Sequence, residues 1–158
     1  MQLIMHNFDE LNNSVGFYIG FTASAIKNEL IKRLSEKGHD ITHAQWMILM
    51  MLWAKDGRNQ NELTGLMYKE KTTITRVIEV MERRGLIFRE VDPNDKRNKI
   101  CYLTEQGNEL KDKVIPEVIN LNVQAAQNIS NEELAHFKSI LKKILANINF
   151  NNSKLKNC

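Results

Sequence analysis

Short hydroxyl side chains and a guanidinium follow one another in the segment Lys71-Thr72-Thr73-Ile74-Thr75-Arg76. A guanidinium can bond to guanine O6 and N7 at two points, while threonine offers a hydroxyl to phosphates or bases and a methyl to thymine. Further along, the loop Asp92-Pro93-Asn94-Asp95-Lys96-Arg97 carries two cations next to a carboxylate. The negative potential of a narrow minor groove attracts an inserted Arg. Both segments have the residue types of a surface that binds double-stranded DNA.

The first segment is predicted to lie on a helix from Lys71 to Arg84. Its apolar residues recur at helical spacing and should form the buried stripe: Ile74, Val77, Ile78 and Met81. That stripe turns the polar positions outward, because helical periodicity leaves them no other direction. The residues predicted to contact DNA are Lys71, Thr72, Thr73, Thr75 and Arg76 on this helix and Asp95, Lys96 and Arg97 on the loop. Arg76 is the expected base reader, and Asp95 is expected to hold Arg97 extended.

A winged helix-turn-helix is the arrangement of elements that would position these side chains. A short helix from Asn59 to Met67 is predicted before the Lys71 helix. Leu86 to Val91 and Lys99 to Leu103 are β-prone runs around the Pro/Asn/Asp loop, and they predict a two-stranded hairpin. In such folds the second helix enters a major groove.

The rest of the chain is predicted to be helical. An apolar stripe runs from Phe8 to Lys37 and ends at Gly38, and the segment from His43 to about Lys55 is apolar almost all round, as in a buried helix. Thr104 should begin a helix reaching about Asn128 and containing Pro116, and Ser130 with Glu133 opens a last one to about Asn147. The expected fold class is therefore mainly α with a small β-hairpin wing. The first helix is longer than this core needs, which suggests that part of its stripe faces a second subunit.

Composition and charge favour a single helix-rich domain spanning residues 1–158, with the winged helix-turn-helix at 41–103 and a disordered tail at 148–158. Between Lys69 and Lys99 there are nine basic and six acidic residues, so this segment accounts for the whole net charge of +3. A polyanion should bind there first. The longest apolar run, Trp46 to Ala54, is too short for a membrane span of about 20 residues. No signal pattern opens the sequence, and a cytoplasmic location is expected.

Five segments together resemble the MarR (multiple antibiotic resistance regulator) family of transcription factors over essentially the whole chain. They are Ile41-Thr42-His43-Ala44-Gln45-Trp46, Lys71-Thr72-Thr73-Ile74-Thr75-Arg76, Glu82-Arg83-Arg84-Gly85-Leu86-Ile87, Asp92-Pro93-Asn94-Asp95-Lys96-Arg97 and Leu103-Thr104-Glu105-Gln106-Gly107. The wing loop with the Leu-Thr-x-x-Gly that follows is the most specific part. The resemblance implies a homodimer whose helices at 8–37 and 104–147 intertwine. It also places Thr72, Thr73, Thr75 and Arg76 at major-groove positions and Asp95 and Arg97 at wing positions.

The same resemblance implies a cleft for a small aromatic or phenolic effector. Aromatic and methionine side chains that could line it are Phe17, Tyr18, Phe21, Trp46, Met50 and Trp53. Ordinary core packing explains this set equally well. Some members of the family resemble peroxide sensors with a reactive Cys in the first helix, and this sequence has none there.

Other chemistry finds little support in the sequence. Cys101 is expected to be a small buried apolar residue and Cys158 a thiol without an activating cation, so no disulfide framework is predicted. The pair His39 and His43 has no Cys or carboxylate cluster beside it, and no metal or cofactor site is expected. No catalytic constellation stands out. The leading prediction is a DNA-binding regulator, most often a repressor in this family; the alternative is a winged helix used as a protein-interaction module.

Overall fold

The computed structural model describes residues 11–67 and 71–148 and divides the chain into two compact units, residues 1–43 and 44–158. The first unit contains helix α1, Val15–Glu36. Ser14 caps it by accepting a hydrogen bond from the Phe17 amide, 3.2 Å, on an extended backbone. Leu11 and Asn12 are also helical, and a turn at Asn13 and Ser14 separates them from α1, so the predicted continuous helix is interrupted there. Its expected start, Phe8, lies outside the described residues. A hydroxyl that bonds the third amide after it fixes a helix start more strongly than the apolar repeat does.

Only the last turns of α1 bury their apolar side chains. Leu30 and Leu34 are buried, whereas apolar residues nearer the start are exposed. The exposed ones include Val15, Phe17, Tyr18, Phe21 and Ile26. Beyond the helix, Gly38 takes a positive φ of 79° that glycine adopts without strain. The predicted apolar stripe exists, but most of it is not covered within its own unit.

The centre of the second unit is helix α2, His43–Ala54. Its buried residues point in all directions around the axis: Gln45, Trp46, Ile48, Leu49, Met51 and Leu52. A helix that is apolar all round must be surrounded by other elements. The prediction of a buried central helix is confirmed.

Two shorter helices follow, α3 (Gln60–Met67) and α4 (Lys71–Arg83). Ile74, Ile78 and Met81 on α4 are fully buried, and Val77 is half-buried. The predicted stripe is therefore present with Val77 at its edge. Gly85 ends the segment with a φ of 67°. The segment between α3 and α4, residues 68–70, lies outside the described residues.

A three-stranded antiparallel sheet supports these helices, in the order β1-β3-β2. The strands are β1 (Arg58–Asn59), β2 (Ile87–Val91) and β3 (Lys99–Leu103). The β-prone runs of the sequence predicted β2 and β3, whereas β1, whose Arg58 pairs with Cys101 in β3, was not predicted. Arg58 is only 4% exposed; its guanidinium donates to the Met51 carbonyl, 3.1 Å, and forms an ion pair with Glu62. Strand β1 thus connects the β2–β3 hairpin to α2 and α3.

Two long helices complete the second unit, α5 (Glu105–Ala125) and α6 (Asn131–Asn147). Thr104 caps α5 and Ser130 with Glu133 forms a capping box on α6, as predicted. Helix α5 continues through Pro116. None of the residues of α6 is buried. Mainly helical structure with a small antiparallel sheet confirms the predicted fold class, and the predicted tail lies outside the described residues from 149 onward.

Candidate nucleic-acid interface

Helix α4 presents an exposed polar face formed by Thr72, Thr73 and Arg76. Thr75 differs from the expectation of an open position because it is half-buried. Its hydroxyl accepts a hydrogen bond from Gln60 Nε2 of α3, 2.9 Å. The face that a partner can reach from solvent therefore rests on two threonines and an arginine. The side chain of Lys71 lies outside the described residues.

The loop between β2 and β3, residues 92–98, is closed by its own hydrogen bonds. The amide of Asp92 donates to the Asn98 carbonyl, 3.0 Å, and the amide of Asn98 donates to the Asp95 carbonyl, 2.8 Å. Asp92 Oδ1 also accepts from the Asn94 amide, 2.9 Å. A loop with these internal bonds holds a defined shape, which makes it a rigid support for the cations at its tip.

Arg97 projects from this wing tip into solvent, 90% exposed, while Asp95 orients it. The guanidinium Nε and the backbone amide of Arg97 both donate to Asp95 Oδ1, each at 3.1 Å. The side-chain hydrogen bond from Arg97 is the main reason that the pKa of Asp95 lies below its usual value. This geometry matches the expectation that Asp95 holds Arg97 extended. Lys96 beside them is exposed.

Between α4 and the wing lies a polar cleft of about 290 Å³. Its walls are formed by α3, α4, β2, β3 and the loop between the two strands. The lining residues are Gln60, Asn61, Thr75, Glu79, Arg89, Arg97, Asn98 and Lys99. Three cations line it against one carboxylate, so the cleft favours an anionic group over a neutral one. Gln60, Asn61, Arg89 and Asn98 were not identified as site residues from the sequence, because polar side chains distant in the chain form no pattern until the fold joins them.

Arg89 forms the floor of this cleft and is only 11% exposed on its side chain. Its Nε donates to Glu82 Oε2, 3.0 Å, and its Nη1 reaches Gln60 Oε1, 3.4 Å. The hydrogen bond from Arg89 lowers the pKa of Glu82, and the bond to Glu82 raises the pKa of Arg89. Arg89 is thus paired inside the protein, while Arg97 and Arg76 point outward.

The six residues considered for an effector cleft fall in both units. On α1, Phe17, Tyr18 and Phe21 are exposed, and the Phe17 and Phe21 rings stack with centroids 6.0 Å apart. On α2, Trp46 is buried with its ring 5.8 Å from that of Trp53, whose indole N–H donates to the Gly107 carbonyl, 3.0 Å. Core packing accounts for these two tryptophans. Met50 is half-buried.

Cys101 is fully buried on β3, and burial raises the pKa of its thiol to about 11. This agrees with the interpretation of Cys101 as a small apolar core residue; Cys158 lies outside the described residues. Within residues 11–67 and 71–148, no group of three or more His, Cys, Asp or Glu is placed to hold a metal ion. In the same part of the chain, no helix is long and apolar enough to cross a membrane.

A central helix, a helix-turn-helix and an antiparallel sheet with a cationic tip define a winged helix-turn-helix protein. Residues 41–99 match the family model described as "MarR family". Residues 41–99 are therefore similar to the MarR family, which agrees with the resemblance inferred from the five segments.

Two similar proteins extend this resemblance along most of the chain. A protein of Bacillus subtilis (strain 168) named "Uncharacterized HTH-type transcriptional regulator YkoM" is 27% identical over 144 residues, which covers 90% of this chain and 93% of that protein. The organic hydroperoxide resistance transcriptional regulator of the same organism is 28% identical over 146 residues, covering 90% and 95%. The prediction of a transcriptional regulator agrees with the names of these relatives.

A solved structure of a MarR family transcriptional regulator from Listeria monocytogenes, complexed with a 26mer DNA, is similar to this fold. It aligns with a TM-score of 0.76 and 26% identity, covering 86% of this chain and 89% of that one. The similarity extends beyond residues 41–99 to most of the helices on either side.

Proposed function

We propose that this protein is a sequence-specific DNA-binding transcription regulator. The observation that carries the proposal is the exposed face of Thr72, Thr73 and Arg76 beside a wing whose Arg97 is held outward by Asp95. A helix of this polarity suits a major groove, and an extended Arg suits the minor groove next to it. The DNA in the Listeria relative's complex and the names of the relatives support the same role. Such a regulator would act in the cytoplasm.

The proposal includes a homodimer that binds a pseudo-palindromic operator. Helices α1, α5 and α6 leave large apolar side chains exposed at or near their surfaces, among them Phe21, Val123, Phe137, Ile140 and Ile148. Apolar faces of this extent mark association sites in proteins that are otherwise polar. Two protomers related by a two-fold axis would place their recognition helices about one DNA turn, ~34 Å, apart.

Repression with release by a small aromatic or phenolic effector is the form of regulation that we propose. An effector would act by favouring a spacing of the two α4 helices that misses successive major grooves, since only a difference in affinity shifts an equilibrium. Its six candidate lining residues are those placed above on α1 and α2. Covering a promoter is the simplest route to repression.

The second candidate is a protein-interaction module that does not read DNA. It would require apolar residues on the exposed face of α4, whereas Thr72, Thr73 and Arg76 occupy that face. The polarity of the face favours DNA.

Binding to sheared genomic DNA in the presence of excess random competitor tests the proposal. We expect a subset of fragments to be retained, and footprints on them should share a pseudo-palindrome. Binding of all fragments with equal affinity, or of none, would contradict sequence-specific recognition. The same assay repeated with candidate phenolic compounds tests the effector, which should release the retained fragments.

A further inference from the structure

Three consecutive amide residues, Asn59, Gln60 and Asn61, lie where β1 gives way to α3. Asn59 Oδ1 accepts from the Asn61 amide, 2.9 Å, so the segment begins the helix with a side-chain cap. All three side chains also form hydrogen bonds with other parts of the second unit. A cap alone would need only Asn59, so the bonds made by Gln60 and Asn61 call for a separate explanation.

Gln60 connects α3 to the recognition helix and to β2. Its Nε2 donates to Thr75 Oγ1, 2.9 Å, and its Oε1 lies 3.4 Å from Arg89 Nη1. Arg89 is in turn bound to Glu82 near the end of α4. Because one end of the Gln60 amide donates and the other accepts, the two contacts fix its orientation. The bonds through Gln60 therefore join α4 at two places to the strand that leads into the wing.

Asn61 connects the same point of α3 to the wing tip. Its Nδ2 donates to Asn98 Oδ1, and Asn98 Nδ2 donates to Asp95 Oδ2, 2.8 Å. Asp95 is the residue that orients Arg97. Asn59 adds a longer bond to Asp92, 3.4 Å. A continuous series of hydrogen bonds thus runs from the start of α3 to the exposed guanidinium.

We propose that Gln60 and Asn61 are positioning residues for DNA binding, which act by fixing the distance between the α4 face and Arg97. This inference rests on the proposed function, because the distance between the α4 face and Arg97 matters only if the two bind neighbouring grooves of DNA. Neither residue needs to contact DNA. A wing and a helix held at the groove spacing before binding lose less conformational freedom when the complex forms.

A double-mutant cycle on operator affinity separates positioning from direct contact. Asn61→Ala should weaken binding roughly 3- to 10-fold, the range that one hydrogen bond contributes. In an Arg97→Ala background the same substitution should have almost no further effect, because the side chain that it positions is gone. Effects of Asn61→Ala and Arg97→Ala that multiply would mean that Asn61 acts independently of Arg97 and would overturn the inference.

A second cycle tests Gln60 in the same way. Gln60→Ala and Thr75→Val remove the two sides of one hydrogen bond, so the double variant should bind no more weakly than the weaker single variant. An additional loss in the double variant would contradict a role through Thr75. Asn108→Ala is the matched control, since it deletes an exposed amide on α5 outside these contacts and should stay within about twofold of wild type. Thermal melts confirm that each variant is folded.

Amide hydrogen exchange in the DNA-free protein makes the test independent of the proposed function. Asn61→Ala should speed exchange in residues 92–98 several-fold, and Asn108→Ala should leave it at the wild-type rate. Unchanged exchange in Asn61→Ala would overturn the inference even if the protein binds DNA. If Asn61→Ala exchanges faster but the wild-type protein binds no operator, the hydrogen-bond contacts would be supported and the proposed function would be contradicted.

Discussion

Arg76 and Arg97 are both exposed cations, but their surroundings differ, and so should the effects of removing them. Arg76 lies on the α4 face between threonines, whereas Arg97 is held by Asp95 at the wing tip. We predict that Arg76→Ala relaxes preference at particular base pairs, at a cost of about 1–3 kcal/mol on the preferred site. Arg97→Ala should weaken binding to all sequences and lower the salt slope by about one per protomer. Titration of operator variants across salt concentrations measures both; identical behaviour would contradict the assignment.

Cys101 is expected to be chemically silent in the folded protein. Its thiol is fully buried and its pKa is raised to about 11, so near neutral pH it is protonated and shielded. In a Cys158→Ser variant, alkylation at pH about 8 should leave Cys101 unmodified until denaturant is added. Intact mass spectrometry detects the adduct. Rapid labelling of the native variant would show that β3 opens far more readily than its packing indicates.

At the scale of elements, the residues of the Leu-Thr-x-x-Gly segment hold the start of α5 close to the end of α4. The Thr104 hydroxyl accepts from the Gly107 amide, 3.0 Å, and donates to the Gly85 carbonyl. A Cβ on Gly107 would lie 2.0 Å from the Leu86 carbonyl oxygen. No backbone can yield that much without moving the start of α5 away from the end of α4. The segment therefore joins those two elements at a fixed separation.

Gly107→Ala should consequently destabilise the fold by about 2–3 kcal/mol or more, as forced overpacking does. Gly20→Ala is the matched control: nothing lies within 4 Å of the added Cβ on α1, and alanine in a helix interior should stabilise by about 0.5–1 kcal/mol. Urea unfolding of both variants gives the comparison. Equal stability of Gly107→Ala and wild type would mean that α5 does not approach Leu86 this closely.

The ion pair between Glu82 of α4 and Arg89 of β2 should make the stability of the fold depend on pH. Bonding to Arg89 holds the pKa of Glu82 below its ordinary value of 4.5, so the pair stabilises the protein fully above that value and loses its contribution as pH falls below it. Glu82→Gln should therefore be less stable than wild type at pH about 7, with a difference that shrinks at pH about 3.5. Glu109→Gln on α5 serves as the control. A difference that grows on acidification would have the wrong sign for this pair.

Helix boundaries and core stripes followed from the sequence where a local signal dominates, as with the caps at Thr104 and Ser130 and the buried α2. Strand β1 was missed because Arg58 and Asn59 are polar and their pairing depends on β3, far along the chain. Thr75 was expected on an open face because helical periodicity cannot reveal that Gln60 bonds to it. Features that depend on neighbouring residues can be predicted from the sequence. Contacts between residues far apart in the chain cannot.

At the scale of the whole molecule, the proposed dimer gives a direct prediction. Val123 on α5 is 66% exposed and Phe137 on α6 is 53% exposed, although both are large apolar residues. Replacing both with Glu should yield a monomer, because charges on an apolar interface resist burial. Light scattering after gel filtration measures the mass. Operator binding should weaken by orders of magnitude, since two half-sites would no longer be bound together. A variant that keeps the wild-type mass would place the interface elsewhere.

The two tryptophans of the chain both lie on α2. Trp46 is buried, and Trp53 donates its indole N–H to the Gly107 carbonyl across 3.0 Å. Intrinsic fluorescence excited at the indole band is consequently a label-free optical reporter of the second unit. Opening of that unit transfers both chromophores to water and shifts their emission to longer wavelength.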